Sequence, residues 1–277
     1  MGSGFYSYKT ASMRRVSLYE EQEITRIFVN KSMPKSMDPS GVVRECCENA
    51  EHPEVMPIII GLDVTGSMGH IPANLIKNDF PEVMKKILDE GIPCPQLCFT
   101  AYGDYTCDSA PLQVGQFEAS DELMEKWLTS IYLEGGGGGN EGESTSLVHY
   151  FAAFHTSCDA ITKRGEKGLI VTIGDEPNLR FYPKSALREI FGGAQVDMTA
   201  EEILEAAQKN WEVYHINVLD YSGRLKGTKD NWKKLLGDHY IEVDSNSDTN
   251  VSNVIACLAI EHYQRIKGNL ASKQQER

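Results

Sequence analysis

The sequence predicts an α/β domain with a mostly parallel central sheet and helices on both faces. Two observations support this prediction. Apolar runs of strand length, such as 58–61 and 167–173, alternate along the chain with longer segments of helical periodicity, such as 71–91. Strands that alternate with helices in this way form parallel sheets joined by right-handed crossovers. We therefore expect three layers, with the sheet between two layers of helices.

The chain divides into three parts of different composition. Residues 1–55 contain a turn-rich segment at 31–41 and little regular periodicity, which indicates an extension wrapped on the core rather than a second domain. Residues 56–268 form the predicted Rossmann-like domain, and residues 269–277 form a polar tail. We find no repeat and no linker that would divide the core further.

The elements follow from apolar spacing and from the residues that flank each segment. Strands are predicted at 42–47, 58–61, 95–102, 111–117, 167–173, 211–219 and 240–243. Helices are predicted at 71–91, after the capping residue Ser120, at 143–162, within 181–192, and at 199–210, 230–236 and 250–267.

The composition excludes several classes of function. A net charge of −13 over 277 residues disfavours nucleic acid and anionic membranes, which require a cationic surface. No window of about 20 apolar residues could span a bilayer, and the N-terminus lacks a signal sequence. Seven cysteines without a Cys-x-x-Cys pair indicate free thiols in a reducing compartment, so we expect a cytoplasmic protein.

Three oxygen-bearing side chains follow the first core strand at alternate positions: Asp63, Thr65 and Ser67. The loop between a parallel strand and the next helix is where open α/β sheets bind ligands. One carboxylate and two hydroxyls suit a hard cation such as Mg²⁺, which prefers oxygen ligands and retains several waters. The sequence therefore predicts a divalent-cation site at the carboxyl end of this strand.

The Asp-x-Thr-x-Ser pattern resembles the metal-ion-dependent adhesion site of the von Willebrand factor A (VWA) family. Segments 135–144 and 173–176 resemble the second and third loops of that site, in the same order. The resemblance covers about residues 56–268 and implies that Asp63, Thr65, Ser67 and Asp175 hold Mg²⁺, Mn²⁺ or Ca²⁺. Most members place a threonine in the second loop where this chain has other residues, so the ligand there stays open between Asn140, Glu143 and water. Asp104 either reaches the site through water or closes a turn.

The resemblance also implies a function. In this family the cation captures a carboxylate from a partner protein, so we expect a protein-binding module rather than an enzyme. The residues expected to face the partner are His70, Gly138, Gly139 and Glu176. Partners of intracellular bacterial and phage members are often AAA+ ATPases or other assembly factors. An alternative is that the metal only stabilises the crevice.

The enzymatic alternative is a phosphatase similar to the haloacid dehalogenases. Asp63 would be its nucleophile, supported by Thr100, by Lys163 or Lys167, and by Asp175. Such enzymes place an acid two residues after the nucleophile to protonate the leaving group. Thr65 occupies that position and cannot act as this acid. A nucleotide is disfavoured as well, because glutamates surround the only glycine fingerprint, at 137–142.

Overall fold

The computed structural model describes residues 4–66, 68, 70–135, 142–219, 225–244 and 251–275. Its strands are β1 (Arg44–Cys46), β2 (Val55–Asp63), β3 (Cys94–Tyr102), β4 (Leu112–Val114), β5 (Thr156–Cys158), β6 (Gly168–Gly174), β7 (Phe181–Tyr182), β8 (Met198–Thr199), β9 (Trp211–Leu219) and β10 (Tyr240–Asp244). Its helices are α1 (Tyr8–Arg14), α2 (Ile24–Ile27), α3 (His70–Asn74), α4 (Phe80–Asp89), α5 (Asp121–Thr129), α6 (Ser146–Phe154), α7 (Asp159–Arg164), α8 (Lys184–Phe191), α9 (Ala200–Gln208), α10 (Leu225–Leu236) and α11 (Val251–Gln275).

Six strands form the central sheet in the order β10-β9-β6-β2-β3-β4. All neighbouring pairs are parallel except β3 with β4, which are antiparallel. Every residue of β2, β3 and β6 is buried, because helices cover both faces of the middle of the sheet. The predicted α/β fold class is confirmed.

Two hydrophobic clusters lie between the central sheet and its two layers of helices. One face packs against α3, α4, α5 and α11, and the other packs against α6 to α10. Helix α4 illustrates this packing, because its apolar residues Val83, Met84 and Ile87 all face the sheet and are buried. The expected three layers are therefore present.

The two faces of the sheet differ near the carboxyl ends of the strands. The face toward α3 and α11 stays apolar along its length. On the α6–α10 face, apolar rows give way to two polar rows that the strand register aligns. The first contains Thr100, Gly61, Thr172 and His215. The second contains Tyr102, Asp63, Gly174 and Asn217.

The N-terminal extension contacts both flanks of the core. On one side, Arg14 of α1 pairs with Asp121 and Glu125 of α5. On the other side, β1 forms a two-stranded parallel pair with β5, with Arg44 opposite Thr156. Residues of the extension therefore contact the core, and the division into an extension, a core domain and a tail stays a prediction.

The structure corrects the predicted helix at 143–162. α6 ends at Phe154, residues 156–158 form β5, and α7 begins at Asp159. The reason is a non-local one, because β1 of the extension pairs with this segment. Helix 71–91 is present as α3 and α4, joined by a π-helical turn at Leu75–Asp79. The last helix extends beyond 267 to Gln275, so most of the predicted polar tail is helical.

Candidate functional site

A crevice lies at the carboxyl ends of β2, β3 and β6, where the predicted site residues meet. Asp63 is the last residue of β2, Tyr102 the last of β3, and Asp175 follows directly on β6. Parallel strands bring their carboxyl ends to the same edge of a sheet, which explains how residues from distant parts of the chain converge. The main chain closes the crevice floor, since the Val64 N–H donates to the Tyr102 carbonyl (3.1 Å).

Asp63 and Thr65 form the tightest contact of the crevice. The backbone N–H and the hydroxyl of Thr65 both donate to Asp63 Oδ1, at 2.9 Å and 2.6 Å. The other carboxylate oxygen, Oδ2, is buried and has no hydrogen-bond partner among the residues that the structure describes. Since only 1% of Asp63 is exposed, water reaches this oxygen poorly. An unpaired buried carboxylate oxygen is costly unless a cation or an ordered water compensates it.

Backbone hydrogen bonds join the loop that contains Glu143 to the segment after β6. The Glu143 N–H donates to the Pro177 carbonyl (2.8 Å), and the Leu179 N–H donates to the Glu143 carbonyl (2.9 Å). Gly142 permits this approach, because a Cβ there would lie 2.6 Å from the Pro177 oxygen. The hydrogen bonds bring the Glu143 side chain close to Asp63, and its Oε2 is buried with no partner in the described part of the chain.

Several carboxylates repel one another in the crevice. Burial raises the pKa of Asp63 to about 7. The hydrogen bonds from Thr65 oppose this rise, and the charges of Asp175 and Glu176 add to it. Burial likewise raises the pKa of Glu143 to about 9, helped by the charge of Asp63. Burial disfavours the ionised form of a carboxylate, and neighbouring negative charges add to that effect. The electrostatics of the crevice therefore favour a positively charged ligand.

Two side chains of the crevice were missed by sequence reasoning. The Tyr102 hydroxyl donates to the Ile173 carbonyl (2.9 Å) and ties β3 to β6. Thr145 hydrogen-bonds Tyr102, while burial and the charge of Asp63 raise the pKa of the tyrosine. The position of Tyr102 at the end of a strand that neighbours β2 is the signal that could have identified it.

The comparisons with known proteins concern the fold. The vWF domain of the type V pili tip protein Mfa5 from Porphyromonas gingivalis superposes with a TM-score of 0.52. The match has 10% sequence identity and covers 77% of this chain and 96% of that domain. This chain has the VWA fold.

Other solved structures match less well. The pilus adhesin SpaC from Lactobacillus rhamnosus GG gives a TM-score of 0.49 at 11% identity, with 83% of this chain and 31% of the adhesin covered. A von Willebrand factor type A structure from Catenulispora acidiphila gives 0.41 at 12% identity, with 84% and 52% covered. The chain thus spans about a third of the length of SpaC. No protein-family model matches the sequence, and no curated protein matches it.

Within the VWA fold, the structure describes most but not all of the predicted site. It brings Asp63, Thr65, Asp175, Glu176 and Glu143 to one crevice. Four further predicted residues of the site lie outside the described residues: Ser67, Gly138, Gly139 and Asn140.

Asp104 lies close to this crevice, and His70 follows the Thr65 loop in the sequence. The Asp104 carboxylate accepts from the Thr106 N–H (2.8 Å) and hydroxyl (2.7 Å), so it closes a turn, the alternative that the sequence left open. Its charge still contributes to the raised pKa of Glu143. His70 is exposed at the first residue of α3, on the loop that follows Thr65.

The donor set of the crevice fits a hard divalent cation. Asp63 Oδ2 and Glu143 Oε2 have no partners among the residues described, and oxygen is the donor that Mg²⁺ and Ca²⁺ prefer. Among the described residues, no three histidine, cysteine, aspartate or glutamate side chains form a metal cage alone. A cation here would therefore rely on the hydroxyl of Thr65 and on water in addition to carboxylates.

The phosphatase alternative requires residues that the structure keeps apart. The Lys163 ammonium pairs with Asp159 (2.7 Å), and Lys167 donates to the Gln208 carbonyl (2.6 Å). Both lysines precede β6, whereas Asp63 lies beyond the opposite end of the sheet. Thr100 donates to the Ile60 carbonyl inside the sheet (3.3 Å).

None of the described helices combines the length and apolar composition that crossing a bilayer requires.

Proposed function

We propose that the crevice binds a divalent cation and uses it to capture a carboxylate of a partner protein. The observation that carries the proposal is a pair of buried oxygens in an acidic crevice, one on Asp63 and one on Glu143, that no described residue contacts by a hydrogen bond. Asp63, Thr65, Glu143 and Asp175 would hold Mg²⁺, or Mn²⁺ or Ca²⁺, together with Ser67. The bound cation supplies a positive charge that an incoming anion can contact in place of a water.

The charge of the chain gives this mechanism its selectivity. With a net charge of −13, the protein repels acidic groups over most of its surface. Hydroxyl ligands such as Thr65 are neutral, so they leave more of the cation's charge to attract an anion. Hence the bound cation would be the main source of electrostatic attraction for an aspartate or glutamate of the partner. We infer a binding module rather than an enzyme, with an AAA+ ATPase or an assembly factor as the expected partner.

The proposal is tested in two stages with the full chain. First, Mn²⁺ binding is measured by titration calorimetry for the wild type, Asp63→Ala and the control Asp89→Ala, which removes an exposed aspartate of α4. We expect Asp63→Ala to lose Mn²⁺ binding and Asp89→Ala to retain it. Wild-type protein without measurable Mn²⁺ binding would refute the metal site.

Second, partners are captured from an extract with Mg²⁺ or with EDTA. A partner that is retained with Mg²⁺, released by EDTA and lost with Thr65→Ala supports the carboxylate capture. Partner binding that is unaffected by EDTA and by Thr65→Ala would show that the crevice is not the interface. Thr65 belongs to neither hydrophobic cluster, so we expect Thr65→Ala to leave both clusters and the fold intact.

A further inference from the structure

Two of the seven cysteines lie opposite each other where the extension meets the core. β1 and β5 form a separate two-stranded sheet, and its last register pair is Cys46 with Cys158, both free thiols. The preceding pair, Glu45 with Ser157, is exposed, so the alternation of side chains along a strand turns both cysteines inward. Cys46 is 0% and Cys158 2% exposed, and both belong to the hydrophobic cluster of the α6–α10 face. The two thiols therefore lie on one side of the strand pair.

The spacing of these two residues suits a disulfide bond. Neighbouring strands lie about 4.8 Å apart, so the Cα atoms of register partners are separated by about this distance. Disulfides join cysteines whose Cα atoms are roughly 4.4–6.8 Å apart. The side chains of Cys46 and Cys158 hydrogen-bond each other, so their sulfurs face one another across the pair. A bond between the two Sγ atoms therefore requires no change of register.

Backbone hydrogen bonds on both sides of Cys46 hold it in this position. Before it, the Arg44 N–H donates to the His155 carbonyl (2.9 Å). After it, the Glu48 N–H donates to the Asp159 carboxylate (2.8 Å). Because Cys46 lies between these two contacts, β1 cannot slide along β5 without breaking both. The register that places the two cysteines opposite each other is thus fixed at both ends of β1.

We propose that Cys46 and Cys158 form a thiol–disulfide modification site whose oxidation fastens the extension to the core. The oxidant is a small disulfide such as oxidised glutathione. The Cys46 thiolate attacks one sulfur of the oxidant, forms a mixed disulfide and releases one glutathione thiolate. The Cys158 thiolate then attacks the Cys46 sulfur, forms the Sγ–Sγ bond and releases the second glutathione thiolate. The two cysteines lose two electrons to one glutathione disulfide, and their two protons pass to the two glutathiones released.

The position of β1 explains why Cys46 reacts first. Burial raises the pKa of the Cys46 thiol, so little thiolate exists while β1 is docked. β1 has three residues and, among the described strands, pairs with β5 alone, so it opens more easily than a strand of the central sheet. Opening exposes Cys46 to the oxidant, and renewed docking brings its mixed disulfide to Cys158. The extension therefore controls access to the site.

The test treats the reduced full chain with oxidised glutathione and maps its peptides without reduction. We expect a peptide that joins Cys46 to Cys158. The bond closes a long loop, so the oxidised wild type should melt roughly 5–15 °C above the reduced form. The control Cys257→Ala, which removes an exposed cysteine of α11, should behave as the wild type does. Cys46→Ala should lack both the joined peptide and the rise in melting temperature.

Refolding in oxidised glutathione removes burial as a barrier to the reaction. The peptide map of the wild type needs no variant, so it decides the pairing even where an alanine destabilises the cluster. The Cys46–Cys158 peptide in native or refolded protein supports the pairing, and its absence from both overturns the proposal. A bond between Cys158 and Cys98, which is buried in the same cluster, would also overturn it. A Cys46–Cys158 bond without a rise in melting temperature would show that oxidation does not fasten the extension.

Discussion

Replacing Asp63 by asparagine should stabilise the protein when no metal is present. Asp63 is 1% exposed, and its Oδ2 accepts no hydrogen bond from any described residue. Burial, opposed by Thr65 and increased by neighbouring carboxylates, raises its pKa from 3.8 to about 7. A shift of about three units corresponds to at most about 4 kcal/mol of penalty for the ionised form. The amide of asparagine also lacks a partner for its N–H groups, so we expect a net gain of about 1–3 kcal/mol.

The sign of the pH dependence follows from the same shift. Between pH 4 and 7 the unfolded chain has lost the Asp63 proton while the folded chain retains it. The metal-free wild type should therefore lose stability as the pH rises through this window, and Asp63→Asn should lack this contribution. Above pH 7 the penalty is complete, so pH 8 gives the largest difference between the two proteins.

Urea unfolding at pH 8, followed by circular dichroism, measures this difference with EDTA and with Mg²⁺. At a hundred-fold excess over Kd, Mg²⁺ should add about 2.7 kcal/mol to the wild type and nothing to Asp63→Asn. The advantage of the variant in EDTA should therefore shrink or invert. Asp89→Asn, an exposed control on α4, should stay within about 0.5 kcal/mol of wild type. A variant that is less stable than wild type in EDTA would refute the reasoning.

Three further predictions concern the rest of the fold. Arg14→Ala should cost about 1–2 kcal/mol and expose the extension to proteolysis, because two carboxylates of α5 lose their cation. Gly168→Ala should cost about 1–3 kcal/mol in urea unfolding, because a Cβ would lie 2.4 Å from the buried indole of Trp211. Although burial alone would raise the pKa of Glu212, hydrogen bonds such as that from His262 lower it to about 2. This pKa lies below the ordinary 4.5, so the contribution of Glu212 should disappear as the pH falls from about 4.5 to 2, and Glu212→Gln should flatten that slope.

Each of these predictions has a clear contrary result. Proteolysis of Arg14→Ala that matches wild type and Lys9→Ala, an exposed change on the same helix, would mean that the ion pairs do not hold the extension. Gly168→Ala with unchanged stability would show that the indole moves aside freely. A Glu212→Gln protein with the same acid unfolding profile as wild type would remove Glu212 from the acid response.

The sequence predicted the sheet well because its strands are local signals. The run at 58–61 is apolar at every position that a doubly covered strand requires, and β2 lies there. The helix at 143–162 failed for the opposite reason. Its apolar spacing is continuous, but β1 pairs with residues 156–158, and no local pattern records a partner more than a hundred residues away.

The residues of the candidate site likewise divide into those that a local pattern identifies and those that depend on contacts with distant parts of the chain. Asp63 and Asp175 could be identified because each follows a buried strand, and strand ends meet at one edge. Glu143 stayed one of several alternatives, since its place depends on the hydrogen bonds between its loop and residues 177–179.

The two attachments of the extension have a consequence for the order of folding. Arg14 binds a residue 107 positions later, and Arg44 pairs with Thr156, farther still along the chain. Contacts of such sequence separation close large loops and form slowly compared with local helices. During synthesis the extension leaves the ribosome before α5 and β5 have been made, so the segments that it contacts are absent at that stage. We therefore expect the extension to dock late, on a core that has already assembled.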